Sequence, residues 1–268
     1  MGIIDSFKRT FNISGADITI VLDDANYSQD DDVSGEVFIR GGELDQSGGT
    51  IKLELKEFWT EVRSDGKNTT TQTVYKTHES IILATAFTIP PKSEQHFQFN
   101  TKLPLNSRIS AAGTGWQIWV SLDISGAVDP KGYLTFPVAP SEEIQAVLET
   151  CETSLRFTES ENHRRWSNTT NEAIFRMIPP EILKPELDYM RVQLVKTDDG
   201  GLQGQLVFDL QEKSITDYFK ALFNKDKVTV PLLLTHKQLL LSDGLPNTQA
   251  ISEVIGTAMR KVISDNSR

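Results

Sequence analysis

The sequence predicts an all-β protein with two β-sandwich domains in tandem and short helices at its two ends. Apolar and polar residues alternate with a period of two in many short stretches, as in strands that bury one face. Turn-forming clusters of Gly, Pro, Asn and Asp separate these stretches at intervals typical of a sandwich. The chain has 268 residues, which is too long for one small sandwich and sufficient for two domains of about 100–130 residues each.

The clearest strand pattern lies in residues 15–138. Residues 51–56 alternate apolar and charged side chains, which is typical of an antiparallel sheet with one face in water. The segment Trp116–Ile124 alternates in the same way. No convincing internal helix interrupts this region, so we predict that it forms the first β-sandwich.

The stretch from Trp116 to Pro140 is predicted to form the last hairpin of the first domain and the hinge into the second. The Asp-Pro-Lys-Gly turn at 129–132 and two later prolines favour reversal of the chain and an end to strand pairing. We therefore predict domains at 1–139 and 140–240, followed by an amphipathic helix at 241–268. The predicted hinge residues are Asp123, Asp129, Pro130, Pro137 and Pro140.

The two hinge aspartates have two interpretations. Asp123 faces water and Asp129 stabilises a tight turn in the first interpretation. In the second, one of them pairs with an arginine of the second domain and fixes the orientation of the two domains, because breaking a buried ion pair costs about 3–5 kcal/mol. The sequence does not choose among the candidate arginines, which are Arg156, Arg165 and Arg191.

Both ends of the chain are predicted to be amphipathic helices. At the N-terminus, residues 2–11 place apolar side chains at four-residue spacing, with basic residues opposite. We expect each helix to pack on its own domain, and the alternative is contact with a protein groove or, at the N-terminus, an anionic membrane surface. The residues that would make such contacts are Ile3, Ile4, Phe7, Phe11, Ile251, Ile255 and Met259.

Composition narrows the class of protein. The formal charge of −10 disfavours nucleic-acid binding, because a net acidic chain repels phosphate backbones. A single cysteine, Cys151, excludes an intrachain disulfide and fits a reducing compartment. No apolar run reaches the roughly 18 residues of a membrane span, and no signal-peptide core precedes the first strand. We expect a cytoplasmic protein, and the alternative is a peripheral protein at the inner membrane face.

Neither a catalytic motif nor a cofactor motif is present in the sequence. The four histidines are scattered without metal-ligand spacing, and no phosphate-binding loop, dinucleotide fingerprint or nucleophile elbow occurs. We therefore predict no enzymatic activity, no cofactor and no metal. One alternative is a calcium-responsive module, because Asp23, Asp24 and Asp30–Asp32 supply oxygen ligands in one loop, although a solvated acidic loop explains them more simply.

Three segments carry a family resemblance. They are Gly35–Gly42 with Gln46 and Ile51-x-Leu53-x-Leu55; Trp119-Val120 with Leu122-Asp123-Ile124 and Ala127-Val128-Asp129-Pro130; and Val138-x-Pro140 followed by Ile144–Leu148. In order and spacing they resemble the bacterial sporulation-control family, which has an arrestin-like fold of two tandem β-sandwiches. The Ala-Val-Asp-Pro block is the most specific of these segments, and the second half of the chain matches more weakly.

The resemblance implies a non-enzymatic cytoplasmic regulator or adaptor that acts through protein partners. It names neither the partner nor the oligomeric state, and a dimer remains open. A fold alone does not fix a function. The alternatives therefore stay a peripheral regulator that binds anionic lipid through the N-terminal helix, or the calcium-responsive module.

Overall fold

The alternating stretches of the sequence form strands, and the all-β fold class is confirmed. A computed structural model describes residues 7–13, 15–64, 66, 68–124, 131–211 and 227–266. The chain divides into two units, Met1–Ala139 and Pro140–Arg268. No helix among the described residues is long and apolar enough to cross a membrane.

The described residues of unit 1 form two four-stranded antiparallel sheets. One has the order β1-β2-β4-β7 and the other the order β6-β5-β8-β9, while β3 and β10 form a short parallel pair. The strands are β1 (Lys8–Ile13), β2 (Ala16–Leu22), β3 (Tyr27–Ser28), β4 (Asp32–Arg40), β5 (Gln46–Ser64), β6 (Thr69–Ile89), β7 (Glu94–Lys102), β8 (Thr114–Ile124), β9 (Lys131–Phe136) and β10 (Val138–Ala139).

The core of unit 1 lies between the two sheets, so the unit is a β-sandwich. Alternate residues of each strand point into it because successive side chains of a strand face opposite sides of the sheet. Ile18 and Ile20 come from β2, Leu53 and Leu55 from β5, and all four are fully buried. Trp116 of β8 is also fully buried, and its indole Nε1 donates a hydrogen bond of 2.7 Å to the carbonyl oxygen of Arg108.

The predicted N-terminal helix is wrong for residues 8–11, which belong to β1. This strand pairs with β2, and Phe11 lies opposite Ile18. A four-residue spacing is also a multiple of the strand period, and an isolated helix of about ten residues is marginal in water. Phe11 packs against the core and lies over Gly132 of β9, where a Cβ atom would come within 1.9 Å of the Phe11 ring. Ile3 and Ile4 lie outside the described residues.

Unit 2 contains a six-stranded sheet, three α-helices and two short 3-10 helices, Glu161–His163 and Glu181–Leu183, in its described part. The strand order is β11-β13-β14-β15-β16, and β12 also pairs with β13. The elements are α1 (Glu142–Thr153), β11 (Thr158–Glu159), β12 (Arg165–Ser167), β13 (Glu172–Ile178), β14 (Leu187–Lys196), β15 (Leu202–Leu210), β16 (Lys227–Leu234), α2 (His236–Leu239) and α3 (Thr248–Asn266).

The core of unit 2 is built on one face of this sheet. Phe175, Val192 and Leu206 lie side by side on neighbouring strands and are fully buried. Helices α1 and α3 contact each other and strands of the sheet, and they bury Ile144 and Ile255. The described residues of this unit thus place helices beside one sheet, where the sequence predicts a second pair of sheets. The apolar faces of these two helices cover the core face of the sheet in place of a second sheet.

The C-terminal helix forms as the sequence predicts, over Thr248–Asn266. Ile251 and Ile255 are fully buried, Val262 is nearly so, and Met259 is half-buried. Helix α3 contacts α1, α2 and β16 of the same unit. Ile251 and Ile255 therefore stabilise unit 2 and are not available to a partner.

We expect Ile255→Ala to lower the free energy of unfolding by about 2–5 kcal/mol, because it removes buried methyl groups and leaves a cavity. Lys261→Ala, an exposed position on the same helix, should change it by no more than about 0.5 kcal/mol. Urea denaturation of the full chain, followed by circular dichroism, measures both. Equal midpoints for Ile255→Ala and Lys261→Ala would contradict this packing.

Candidate functional site

The predicted hinge residues do not form a cluster in the described structure. Asp123 is exposed near the end of β8, and Pro137 is exposed between β9 and β10. Pro140 is buried just before α1, and its carbonyl oxygen accepts a 2.7 Å hydrogen bond from the Gln145 side chain. Asp129 and Pro130 lie outside the described residues. The hinge role of these five residues stays a prediction.

The acidic loop uses its carboxylates to hold its own turns. Asp31 accepts a 2.6 Å hydrogen bond from the Ser28 amide, Asp24 accepts one of 2.9 Å from the Asn26 amide, and Asp23 accepts one of 2.6 Å from the Ser34 hydroxyl. Asp30 forms an ion pair of 3.2 Å with Lys102. Across the described ranges, no group of three or more His, Cys, Asp or Glu side chains is arranged to hold a metal ion. Hydrogen bonds and one ion pair with neighbouring residues therefore account for the carboxylates of this loop.

The four histidines are used separately. His78 pairs with Glu57, His96 stacks on Phe38 with a centroid distance of 6.1 Å, His163 bonds Ser160, and His236 contacts the Gly200 carbonyl oxygen. Cys151 is fully buried, and burial raises the pKa of its thiol to about 12. A thiolate nucleophile therefore does not form there near neutral pH. In the part of the chain that the structure describes, no histidine lies beside another or beside a reactive thiol.

A buried ionic cluster lies at one end of the unit 1 core. Glu57 of β5 points inward, with its Oε1 2.8 Å from Nε of Arg108 and its Oε2 2.9 Å from Nε2 of His78. The Arg108 guanidinium lies over the Trp59 ring at 4.3 Å, and the His78 ring lies 4.9 Å from that of Trp116. The cluster therefore joins β5, β6, β8 and the connection before β8.

Glu57 is held there by charge pairing. It continues the inward alternation of Ile51, Leu53 and Leu55, and that position of a carboxylate is the one sequence signal that predicts a buried partner. Burial lowers the pKa of Arg108, and the nearby charge of Glu57 opposes this effect. Because a buried carboxylate is costly to leave unpaired, Glu57 and its partners hold this end of the sandwich in one arrangement.

The outer face of the same sheet carries a continuous row of aromatic and basic side chains. The Tyr75 ring lies 6.2 Å from that of Phe58 and 5.7 Å from that of Trp119, and Trp119 stacks on Tyr133 at 4.9 Å. We call this surface the aromatic–basic face and define it by Arg9, Lys52, Glu54, Lys56, Phe58, Tyr75, Trp119 and Tyr133.

Cations border the aromatic row. Nζ of Lys56 lies 4.7 Å from the Trp119 ring centre, and the Arg9 guanidinium lies 4.7 Å from that of Tyr133. Glu54 lies 3.2 Å from Lys52 and 3.0 Å from Lys56. Burial opposes the ionised form of Glu54, but the hydrogen bonds from the two lysines lower its pKa overall. The aromatic–basic face thus has three cations and one carboxylate, whereas the whole chain is acidic.

Strand register explains how this face is assembled. Phe58 lies opposite Tyr75, and Trp119 lies opposite Tyr133 and Glu54. Their neighbours in sequence point into the core, so the aromatic side chains must point outward. The alternation of Trp116–Ile124 in the sequence is consistent with an outward Trp119, but the row as a whole could not be predicted, because the register between distant strands is not visible in a local pattern.

We expect Arg108→Met to lower the free energy of unfolding by about 3–5 kcal/mol, because Glu57 would stay buried without its guanidinium partner. Glu57→Gln combined with Arg108→Met should cost less than the sum of the two single changes. Urea denaturation of the four proteins of this double-mutant cycle measures the coupling. Additive effects would show that the ion pair does not contribute.

Comparison with known proteins is consistent with this architecture. The curated sporulation-control protein spo0M of Bacillus subtilis (strain 168) is 27% identical over 152 residues, which cover 57% of this chain and 57% of that protein. The match thus spans just over half the length of the relative. The crystal structure of Spo0M, sporulation control protein, from Bacillus subtilis matches with a TM-score of 0.67 and 22% identity, and the match covers 93% of this chain and 99% of that chain.

The crystal-structure match shows a shared fold. The family assignment comes from a separate comparison with sequence families. The model of the Spo0M family, described as SpoOM protein, matches residues 6–200, well over half of the 268 residues. The chain therefore belongs to the Spo0M family of sporulation-control proteins.

Proposed function

We propose that this chain is a non-enzymatic regulatory adaptor, which acts by binding other proteins through the aromatic–basic face of unit 1. The observation that carries this proposal is the row of Phe58, Tyr75, Trp119 and Tyr133 on an outer sheet face, bordered by Arg9 and Lys56. A regulator of this kind has no need of a reaction centre, and its specificity comes from a few contact residues.

The residue types of this face are those that dominate protein interfaces. Trp, Tyr and Arg are enriched at the positions that contribute most binding energy. Tyr75 is 48% exposed, and beyond the aromatic–basic face, on the same side of the sheet, Ile82 is 53% and Val62 is 66% exposed. Their backbone is held in β5 and β6, so a partner would meet a surface whose ordering cost is already small.

Charge indicates what kind of partner fits. Lys52, Lys56 and Arg9 outnumber Glu54 on this face, while the chain as a whole carries −10. A partner with an acidic segment would be attracted to this face and repelled by the remainder of the surface, which orients its approach. We therefore propose an acidic protein segment as the partner and the cytoplasm as the compartment, in agreement with the single buried cysteine.

Membrane binding receives less support. It depended on an N-terminal helix with Phe7 and Phe11 on one face, but residues 8–13 form β1 and Phe11 packs against the core. Among the described residues of this segment, Phe7 is 36% exposed beside Lys8 and Arg9, and this apolar surface alone is too small to hold a protein on a bilayer.

We expect Trp119→Ala to reduce capture of the specific partner at least about tenfold, because interface tryptophans often contribute 2 kcal/mol or more. Tagged full-length protein is incubated with native cytosol, and captured proteins are quantified by mass spectrometry. Lys56→Glu should reduce capture of the same protein by reversing the charge that attracts it.

Phe38→Ala is the matched control, since Phe38 is a half-buried aromatic residue on the other sheet of unit 1. It should leave capture unchanged. Circular dichroism confirms that each variant is folded. Retention of the same partner at wild-type level by folded Trp119→Ala and Lys56→Glu would overturn the assignment of this face.

A further inference from the structure

Two arginines lie side by side on the face of the unit 2 sheet opposite its core. Arg176 of β13 and Arg191 of β14 are direct cross-strand partners. Their neighbours Phe175 and Val192 point into the core, so the two guanidinium groups leave the sheet on the other side. Both side chains are half-buried.

This pairing is unfavourable unless something compensates for it. Like charges directly opposite each other on a sheet are destabilising. Neither arginine forms an ion pair with a carboxylate of the described residues, and Nε of each is buried without a hydrogen-bond acceptor there. Arginine carries five N–H donors in a fixed planar arrangement. The two side chains therefore bring two positive charges and unsatisfied N–H donors to neighbouring positions of the sheet.

The surroundings hold at least one of these side chains in position. The Arg176 guanidinium stacks on the Tyr189 ring at 4.0 Å. Burial and a hydrogen bond to Asp209 raise the pKa of Tyr189 to about 12, so this side chain remains a neutral phenol. The Asp209 carboxylate lies 3.8 Å from Nζ of Lys227. On the side away from Tyr189, the Gln205 side chain donates a 2.5 Å hydrogen bond to Gln193.

We propose that Arg176 and Arg191 form a binding site for a phosphate group. A phosphate dianion balances two positive charges and has enough oxygen atoms to accept bidentate hydrogen bonds from two guanidinium groups at once. A single carboxylate would neutralise only one of the two positive charges and would accept bidentate hydrogen bonds from only one of the two guanidinium groups. The bound group is either free inorganic phosphate or a phosphate monoester, and the two share this chemistry. The inference is independent of the aromatic–basic face.

The test uses the full chain with sodium phosphate and with O-phosphoserine, against sodium chloride at matched ionic strength, because screening alone changes stability. Ligands that bind the folded state raise the apparent melting temperature by mass action. We expect either or both phosphate compounds, but not chloride, to raise it. Calorimetric titration of the same proteins gives the affinities.

The variants are Arg176→Gln, Arg191→Gln and the double substitution. Charge-assisted hydrogen bonds contribute about 1.5–3 kcal/mol, so each single change should weaken phosphate binding at least about tenfold, and the double change should abolish it. Arg260→Gln, at an exposed position of α3, removes the same charge and should bind like the wild type. Without phosphate, the single variants should melt no lower than the wild type because the repulsion is relieved.

Arg191→Lys provides a second variant that keeps the charge if the double substitution fails to fold. It should bind at least several-fold more weakly, since lysine cannot bind a phosphate in a bidentate manner. Tighter binding of O-phosphoserine identifies a phosphate monoester as the source, and equal or tighter binding of inorganic phosphate identifies the free ion. No shift in the wild type with either compound, or an undiminished shift in Arg191→Lys and the folded double variant, would overturn the site.

Discussion

The ionic contact among Glu57, Arg108 and His78 is the constraint on which unit 1 depends. A carboxylate on the inner face of a sandwich would be expelled or neutralised if it were alone. The Glu57 carboxylate remains buried because the Arg108 guanidinium lies at 2.8 Å and the His78 imidazole at 2.9 Å. These contacts connect β5 to β6 and to the segment before β8. Two tryptophans, Trp59 and Trp116, lie against the Arg108 guanidinium and the His78 imidazole. Each outward aromatic residue of β5 and β8 is the immediate neighbour of a buried inward residue, so the packing of the inner face fixes the positions on the outer face.

Much of the fold could be predicted because its information is local. The alternation of apolar and polar residues predicts the strands β5 and β8, and the 3.6-residue spacing of apolar residues predicts the helix α3. The failure at β1 has an equally local cause. Apolar residues four positions apart satisfy both periods, and only pairing with β2 and the space above Gly132 decide between them. In unit 2 the sequence predicts that the C-terminal helix packs on its own domain, but it does not predict that α1 and α3 together lie beside one sheet.

The candidate sites could not be predicted in the same way, because each is a product of register between strands. Trp119 and Tyr133 are adjacent across β8 and β9, and Arg176 and Arg191 across β13 and β14. In the sequence the first pair is separated by the segment that contains Asp129 and Pro130, and the second pair by a proline-containing connection. The sequence showed which side of a strand a residue takes but not what lies opposite it. Of these two arginines, the sequence indicates a role only for Arg191, as a candidate partner for one of the predicted hinge aspartates.

The two surfaces use cations in opposite ways, and this difference separates their functions. On unit 1 the cations are partly satisfied by aromatic rings and by Glu54, so the face is stable alone and can form weak, reversible contacts with a protein. On unit 2 the Nε groups of the paired arginines have no acceptors among the described residues, and the proposed phosphate would supply acceptors to both side chains. A regulator with both surfaces would distinguish a partner by its acidic segment and a phosphate by its charge and geometry. Because unit 1 and unit 2 fold around separate cores, changes at one surface can be made without dismantling the other.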